Sequence, residues 1–159
     1  MAGASQTGDM WFSIRNATLD DMEALDAVFR RASLSNENDR QPLLDRPQWL
    51  TLPDAGVREG RMRAAVDEGG TVLGFATYLI VDGVAELEDL FVDPPRMRRR
   101  IGEALVLDIS ERVRALGFGR LEVTANPHAL AFYEHMGFVA GSVVDTEFSP
   151  APRMRRPTG

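Results

Sequence analysis

The residues from Glu86 to Gly102 read ELEDLFVDPPRMRRRIG, and they carry the clearest local signals in the chain. Leu90–Val92 is a compact apolar run that favours a β-strand. Two prolines then end the strand, because proline has no N–H to donate to a sheet. An arginine-rich loop follows, and a helical pattern begins at Ile101. A strand, a tight loop and a helix N-terminus in this order predict an anion site, since unpaired backbone N–H groups and the positive end of the helix dipole converge there.

The N-terminal part of the chain predicts one strand, one helix and an irregular segment. Phe12–Arg15 alternates apolar and polar side chains, as a half-buried strand does. A capping box at Thr18–Asp21 predicts the start of a helix that runs to about Ala32. Ser35–Asp54 is polar and interrupted by three prolines, so we expect only short helical turns there. This segment is either a substrate lid or a plain connector.

Three strands precede the arginine-rich loop. Arg61–Val66 and Thr71–Val81 have the apolar and β-branched content of strands. The dipeptide Asp82-Gly83 is a strong signal for a two-residue hairpin. The strands Thr71–Val81 and Glu86–Val92 are therefore predicted to be antiparallel neighbours.

The helix after the loop is predicted to cross over the sheet and to end at Gly117, a natural residue beyond a helix C-terminus. Its expected buried stripe consists of Leu105, Val106, Ile109, Val113 and Leu116. A strand that follows a crossover helix lies parallel to the strand before it. Arg120–Thr124 should therefore run parallel to Glu86–Val92.

The C-terminal part predicts a short helix and two strands. The helix spans Pro127–Met136, with Asn126 as a candidate cap. Phe138–Phe148 is a predicted strand with a bulge at Gly141, and Arg153–Arg155 is a last short strand. These elements predict an α/β (α+β) fold, with a mixed, centrally antiparallel twisted sheet of six to seven strands flanked by helices.

Composition narrows the range of functions. The chain has 159 residues, a formal net charge of −6 and no cysteine, which predicts a single domain over residues 11–159 after a disordered tail of residues 1–10. The lack of cysteine excludes a thiolate nucleophile and sulfur-ligated zinc, and fits a cytoplasmic protein. The negative charge argues against a nucleic-acid partner. No apolar run approaches the roughly 20 residues of a membrane helix.

Two motifs resemble the signatures of the GNAT superfamily of N-acetyltransferases. Val92–Pro94 followed by Met97–Gly102 resembles the family's acyl-CoA loop, which usually reads Arg/Gln-x-x-Gly-x-Gly/Ala. Asn126–Phe138 resembles the second signature, Asn…Ala…Phe-Tyr…Gly-Phe. The resemblance covers nearly the whole chain from Phe12 onward and implies a GNAT-like acyl-CoA N-acyltransferase fold.

Two residues of the loop depart from the family pattern. Met97 stands where the family often has Arg or Gln, and Arg100 stands where it usually has glycine, whereas Gly102 is kept. Glycine lets the backbone approach the phosphates without a Cβ. An arginine can still donate its backbone N–H if its φ is negative. Its side chain can swing outward, clamp the phosphates or block the site.

The resemblance implies acetyl-CoA as the acyl donor and names the backbone that binds it. The loop and the helix start would hold the pyrophosphate, while the end of the preceding strand would bind the pantetheine arm and polarise the thioester. Asn126 is a pantetheine ligand, a helix cap or both. The residues assigned to donor binding are Leu90, Phe91, Val92, Met97, Arg98, Arg99, Arg100, Ile101, Gly102, Glu103, Asn126 and Tyr133. No metal site is expected.

Three side chains are candidates for proton transfer. Glu86 and Glu88 lie two residues apart, hence on one face of a regular strand, and either can serve as general base. They can instead bind a cationic acceptor or be solvated. Tyr133 matches the family's general acid. Its alternative role is core packing, but Phe132 and Met136 share the expected packing face, which predicts that Tyr133 points elsewhere.

The leading hypothesis is acetyl transfer from acetyl-CoA to a primary amine of a small molecule or a protein, by direct attack in a ternary complex. The alternative is a catalytically silent GNAT-like domain that senses acyl-CoA or binds a partner. A toxin-type enzyme that acylates aminoacyl-tRNA is disfavoured by the net charge of −6. By analogy with the family, we expect a homodimer that uses the apolar residues of Val139–Phe148.

Overall fold

The computed structural model describes residues 11–96, 100–145 and 150–159. These residues form seven strands and five α-helices, with short 3₁₀ turns between some of them. In chain order the elements are β1 (Phe12–Asn16), α1 (Met22–Leu34), α2 (Glu37–Leu44), α3 (Ala55–Arg58), β2 (Met62–Asp67), β3 (Val72–Val81), β4 (Val84–Val92), α4 (Ile101–Ala115), β5 (Arg120–Thr124), α5 (Leu130–His135), β6 (Val139–Asp145) and β7 (Pro150–Pro157).

The seven strands form one sheet in the order β1-β2-β3-β4-β5-β7-β6. Every neighbouring pair is antiparallel except β4 and β5, which are parallel because α4 crosses over between them. The predicted mixed, centrally antiparallel sheet is thus confirmed. The parallel ladder contains only the pairs Ala85–Leu121 and Glu86–Glu122.

Helices cover both faces of the sheet, each over its own apolar cluster. On one face, Leu105 and Ile109 of α4 are fully buried in a cluster with residues of the central strands. On the other face, Leu25 and Val28 of α1 pack into a cluster with Phe75 of β3. β4 lies between the two helical layers. The cluster to which an apolar side chain of β4 belongs therefore shows which layer that side chain faces.

Several local predictions are confirmed. Asp82 and Gly83 both have positive φ, 51° and 78°, as a hairpin turn with matching right-handed twist requires. The segment before β2 contains α2 and the short turn Pro47–Leu50. The register of β6 and β7 shifts between Ala140 and Val143, which confirms the bulge expected near Gly141.

Other local predictions need correction. Leu116 is 56% exposed rather than part of the buried stripe, because α4 ends at Ala115 and the chain turns at Gly117. The helix expected over Pro127–Met136 starts as a 3₁₀ turn, and α5 begins only at Leu130. The strand expected to reach Phe148 is described to Asp145. Residues 146–149 and the predicted tail, residues 1–10, lie outside the described residues.

Candidate active site

The candidate site lies where β4 and β5 separate. Beyond Glu86 and Glu122 the two strands have no further paired residues, although β4 continues to Val92. The edge of β4 that faces β5 therefore has backbone groups without a strand partner among the described residues. An amide-rich chain can pair with such an edge like an added strand.

The end of β4 is held firmly on both faces of the sheet. Leu90 and Val92 pack against the α4 layer, whereas the ring of Phe91 lies 4.9 Å from that of Phe29 in α1. The approach of β3 is so close that a Cβ on Gly74 would lie 2.7 Å from the Phe91 carbonyl oxygen. The predicted pantetheine-binding residues Leu90, Phe91 and Val92 thus occupy a backbone that has little freedom to shift.

Asp93 fixes the exit from β4 into the arginine-rich loop. Its backbone N–H donates to the carbonyl of Leu73 at 2.8 Å. Its carboxylate accepts two hydrogen bonds from Arg31 of α1, at 2.8 and 3.2 Å. The start of the loop is therefore tied to both the sheet and α1.

Arg100 is the N-cap residue of α4 and has left-handed backbone geometry, with φ 64° and ψ 10°. The condition stated for direct N–H donation, a negative φ at this residue, is therefore not met. Arg100 takes the conformation that favours glycine, which explains why the family usually has glycine here. Its side chain is exposed, as expected for one that swings outward. Three other predicted loop residues, Met97, Arg98 and Arg99, lie outside the described residues.

Gly102 brings the two signature motifs into contact. A Cβ at this position would lie 3.4 Å from the ring of Phe132 in α5, so the first turn of α4 packs closely beside α5. Ile101 is buried under this turn. Glu103 follows it, with its carboxylate 3.6 Å from His135 Nε2. The N-terminus of α4, a helix of 15 residues, thus stays close to α5.

A β-bulge breaks the alternation predicted for the acidic part of β4. Thr77 of β3 pairs with Asp89 while Tyr78 pairs with Leu87, so Glu88 is the extra residue. β4 is therefore not a regular strand between Glu86 and Glu88, and their two-residue spacing does not by itself place them on one face. The shift places Asp89 on the face opposite to Leu87 and Leu90, towards α1.

Both predicted base candidates are paired with arginines. Glu86 accepts a hydrogen bond from Arg153 of β7 at 2.9 Å. Glu88 accepts one from Arg61 at 2.9 Å, and Arg61 also donates to Glu59. Each of these carboxylates is therefore already engaged by a cation, and a substrate amine would have to compete with that arginine for it.

Asp89 is the carboxylate that sequence reasoning missed. Burial, and secondly the charge of Glu88, raise its pKa to about 6, while Thr77 and Arg61 oppose the shift. The Thr77 hydroxyl lies close to Asp89 and favours the ionised form of that carboxylate. The hydroxyl oxygen is nevertheless buried and makes no hydrogen bond to the described residues. A sequence signal existed, since Leu87 and Leu90 are three residues apart, which is incompatible with strict alternation.

Tyr133 is more deeply buried than predicted. Its side chain is only 7% exposed and makes edge-to-face contacts with Phe132 and Phe138, with ring centroids 5.3 Å apart in both cases. Phe132 and Met136 are only partly buried, so the expectation that they alone form the packing face is wrong. Burial raises the pKa of Tyr133 to about 12, which keeps the phenol protonated.

Asn126 has the backbone of a helix cap without the side-chain bond of one. It lies at the N-cap of the turn Pro127–Ala129 with an extended conformation, and its side chain makes no cap hydrogen bond. Its carbonyl accepts the N–H of Ala129 at 2.9 Å. The amide side chain therefore stays available for a ligand, and its pantetheine role remains a prediction.

Comparison with known proteins identifies the family. The family model described as Acetyltransferase (GNAT) family matches residues 22–138. A curated relative, glucosamine 6-phosphate N-acetyltransferase of Trypanosoma brucei brucei, is 31% identical over 112 residues, which cover 62% of this chain and 76% of the relative.

Solved structures share the fold. PaiA N-acetyltransferase from Thermoplasma acidophilum, solved in complex with coenzyme A, has a TM-score of 0.71 and 21% identity, covering 93% of this chain and 99% of its own. The ribosomal-protein-S18-alanine N-acetyltransferase from Escherichia coli has a TM-score of 0.67 and 20% identity, covering 93% and 94%.

The chain belongs to the GNAT family of acetyltransferases. It is an acyl-CoA-dependent N-acetyltransferase, and acetyl-CoA is its donor substrate. The divergence of β4 from β5 and the N-terminus of the 15-residue α4 fit such a donor. Within the described ranges, no group of three or more His, Asp or Glu side chains could hold a metal ion, and no helix is long and apolar enough to span a membrane.

Replacement of Arg100 by glycine is predicted to stabilise the protein. A left-handed backbone costs a residue with a Cβ about 1–2 kcal/mol, and glycine avoids this cost. Arg100→Gly should therefore raise the free energy of unfolding by about 1 kcal/mol, measured by urea denaturation. Arg100→Ala is the matched control, because it removes the same charge but keeps the Cβ. Equal stabilisation by both variants would show that charge, not backbone strain, is responsible.

Proposed function

We propose that the chain transfers the acetyl group of acetyl-CoA to a primary amine, by direct attack in a ternary complex at the gap between β4 and β5. The observation that carries the proposal is the location of Asp89. This half-buried carboxylate, whose pKa is raised, lies on the last part of β4, beside the unpaired edge of the strand. A raised carboxyl pKa near the working pH is what a general base requires.

In this proposal the donor is held mainly by backbone groups. The N–H groups at the start of α4 bind the pyrophosphate, helped by the helix dipole and the arginines of the loop. The β5-facing edge at Leu90–Val92 pairs with the pantetheine arm, and an N–H of that edge polarises the thioester carbonyl. Asn126, whose side chain caps no helix, binds the arm from the side of α5.

Asp89 accepts the proton of the acceptor amine. An alkylamine is mostly protonated at neutral pH, so it must lose a proton before its lone pair can attack. The amine nitrogen then forms a bond to the thioester carbonyl carbon and releases its second proton to solvent, and the carbon–sulfur bond breaks. Glu86 and Glu88 were predicted for the role of base and remain the alternatives, but each is engaged by an arginine.

Tyr133 donates a proton to the departing sulfur. Its high pKa guarantees that the phenol carries the proton to be donated. A thiolate has a conjugate acid pKa near 8.5, so donation requires close contact and stabilisation of the resulting phenolate. The close packing of α5 against the first turn of α4 at Gly102 keeps Tyr133 on the donor side of the sheet.

The acceptor, the assembly and the location belong to the proposal as well. The curated relative is named for glucosamine 6-phosphate, which makes this amine the first acceptor to test. A homodimer is supported by the edge position of β6, where Val139 is 62% exposed. A cytoplasmic location is consistent with the absence of cysteine. A catalytically silent, acyl-CoA-binding domain is the alternative, and it predicts donor binding without turnover of any amine.

Replacement of Asp89 by asparagine is predicted to abolish most of the activity while increasing stability. Removal of a general base typically costs 10²–10⁴-fold, so Asp89→Asn should lower kcat by about 100-fold or more. In the wild type, kcat/KM should rise with pH through about 6, because the base acts when ionised. Glu86→Gln and Glu88→Gln are the matched controls, and a greater loss in either would transfer the role to that residue.

The same variant also tests how the stability of the protein depends on pH. The pKa of Asp89 is raised in the folded state, so its ionised form destabilises the fold. This destabilisation is complete above pH about 6 and absent below the unfolded pKa of 3.8. Asp89→Asn should therefore have a higher Tm than the wild type at pH 8, and the difference should vanish near pH 4. An activity loss accompanied by a lower Tm at pH 8 would indicate a structural role instead.

Replacement of Tyr133 by phenylalanine should separate catalysis from packing. The ring contacts with Phe132 and Phe138 are kept, so we expect Tm to change little. Loss of the donated proton should lower kcat by about 10²-fold with little change in KM for acetyl-CoA. Steady-state kinetics with thiol detection measures both constants. An unchanged kcat would rule out Tyr133 as the general acid.

A further inference from the structure

Arg153 lies on the face of the sheet that is turned away from α4, together with Glu86, Glu122 and Asp89. We call this face the acceptor face. It is in register with Thr124 of β5, and the neighbouring pair, Val123 and Met154, is buried in the α4 layer. Because side chains alternate along strands, Arg153 points to the other face, as do Glu86 and Glu122. This is the face on which Asp89 also lies.

The guanidinium of Arg153 is fixed by three hydrogen bonds. Nε donates to Glu122 at 3.0 Å, and Nη1 donates to Glu86 at 2.9 Å and to Thr124 at 3.1 Å. These partners come from β4 and β5, the two strands that diverge immediately afterwards. Burial disfavours the charge of Arg153, but the bonds to Glu86 and Glu122 outweigh it and raise its pKa. The group is therefore both cationic and immobilised.

The third nitrogen of Arg153 is left for another ligand. Nη2 makes no hydrogen bond within the described residues, and it is not among their buried unpaired atoms. The side chain of Arg153 is 22% exposed to solvent. Two N–H donors on a partly exposed, always charged group are therefore left without a partner among the described residues. This arrangement is pre-organised for an anion, because the ordering of the arginine has already taken place.

Charge is distributed unevenly along the acceptor face. Among the described side chains around Arg153, three arginines accompany two glutamates, which leaves one positive charge; they are Arg120, Arg153, Arg155, Glu86 and Glu122. Around the bulge, Arg61 accompanies three carboxylates, those of Glu59, Glu88 and Asp89. The face is thus negative near the proposed base and positive near Arg153. It matches an acceptor that carries both charges.

The two ends are separated by a distance that suits a small molecule. Asp89 lies three residues beyond Glu86–Glu122, the last pair between β4 and β5, whereas Arg153 is in register with Thr124, two residues beyond that pair. At the pair itself, β4 and β7 are two strand spacings apart, roughly 10 Å between backbones, and the divergence of β4 from β5 widens the separation beyond it. Side chains extending from both sides leave room for an acceptor whose amine and anionic group are several bonds apart.

We propose, on the basis of the acetyltransferase function proposed above, that the acceptor is a small amine carrying a carboxylate or phosphate group, and that Arg153 binds this anionic group through Nη2. Arg153 is then the residue that determines acceptor specificity. The amine of such an acceptor points towards Asp89, and the anion holds it in that orientation.

The test compares matched acceptors with and without the anion. The probes are ω-amino carboxylates and ω-aminoalkyl phosphates of increasing chain length, each paired with the amino alcohol of equal length. The wild type should prefer the anionic member by about tenfold or more in kcat/KM, the size of one charge-assisted hydrogen bond, with an optimum at an intermediate length. The carboxylate and phosphate series distinguish the two possible anions.

Substitutions of Arg153 assign the preference to this residue. Arg153→Gln should remove it mainly by raising KM for the anionic acceptors, so that the anionic member and the amino alcohol of each pair react with similar kcat/KM. Arg153→Lys should restore part of it. Arg112→Gln, an exposed site on α4, controls for the change in net charge and should retain the full preference.

Binding measurements separate this proposal from the proposed activity. Calorimetric titration of the same acceptor pairs into the protein loaded with coenzyme A needs no turnover. Selective binding of the anionic members, lost in Arg153→Gln, supports the inference even if no amine is acetylated. Equal binding of both members by the wild type overturns it. An equal loss of both members in Arg153→Gln also overturns it, because that result indicates only a structural role for the ion pairs.

Discussion

The short parallel ladder between β4 and β5 is the constraint on which the site depends. Two residue pairs hold these strands together, and then β4 continues for six residues without a partner on that side. An unpaired edge inside a sheet is costly unless something else pairs with it. Here α4 is connected to both strands through the loop and the turn that follows it, so the opening is built into the topology.

The bulge at Glu88 adds the chemistry to this opening. It shifts the pairing by one residue, which places the half-buried Asp89 opposite Thr77 and leaves Glu88 paired with Arg61. Glu86 forms an ion pair with Arg153. Of the three acids in this part of β4, two are therefore neutralised and one is left with a raised pKa, which is how environment assigns different roles to similar side chains.

The sequence was sufficient for the fold because its strongest signals were local. Asp82-Gly83, the double proline and Gly117 each fix a turn by backbone chemistry, and the structure has a turn at each of them. The site is harder to predict, because it depends on which residues of neighbouring strands are paired. The alternation rule assigns one face to Glu86 and Glu88, and the spacing of Leu87 and Leu90 indicates a break in this alternation without locating the bulge at Glu88. Partners such as Arg61 and Arg153 are distant in sequence, so ion pairing could not be predicted from spacing. Tyr133 was identified from its motif, but its burial depends on Phe138 and α4.

Amide hydrogen exchange in the presence and absence of acetyl-CoA tests the central claim most directly. If the donor pairs with the open edge of β4 and the N-terminus of α4, exchange should slow at Leu90–Val92 and at Ile101–Glu103 when it binds. The groove at Gly117–Gly119, at the other end of α4, should be unaffected. Protection confined to that groove, or no change along β4, would contradict the account.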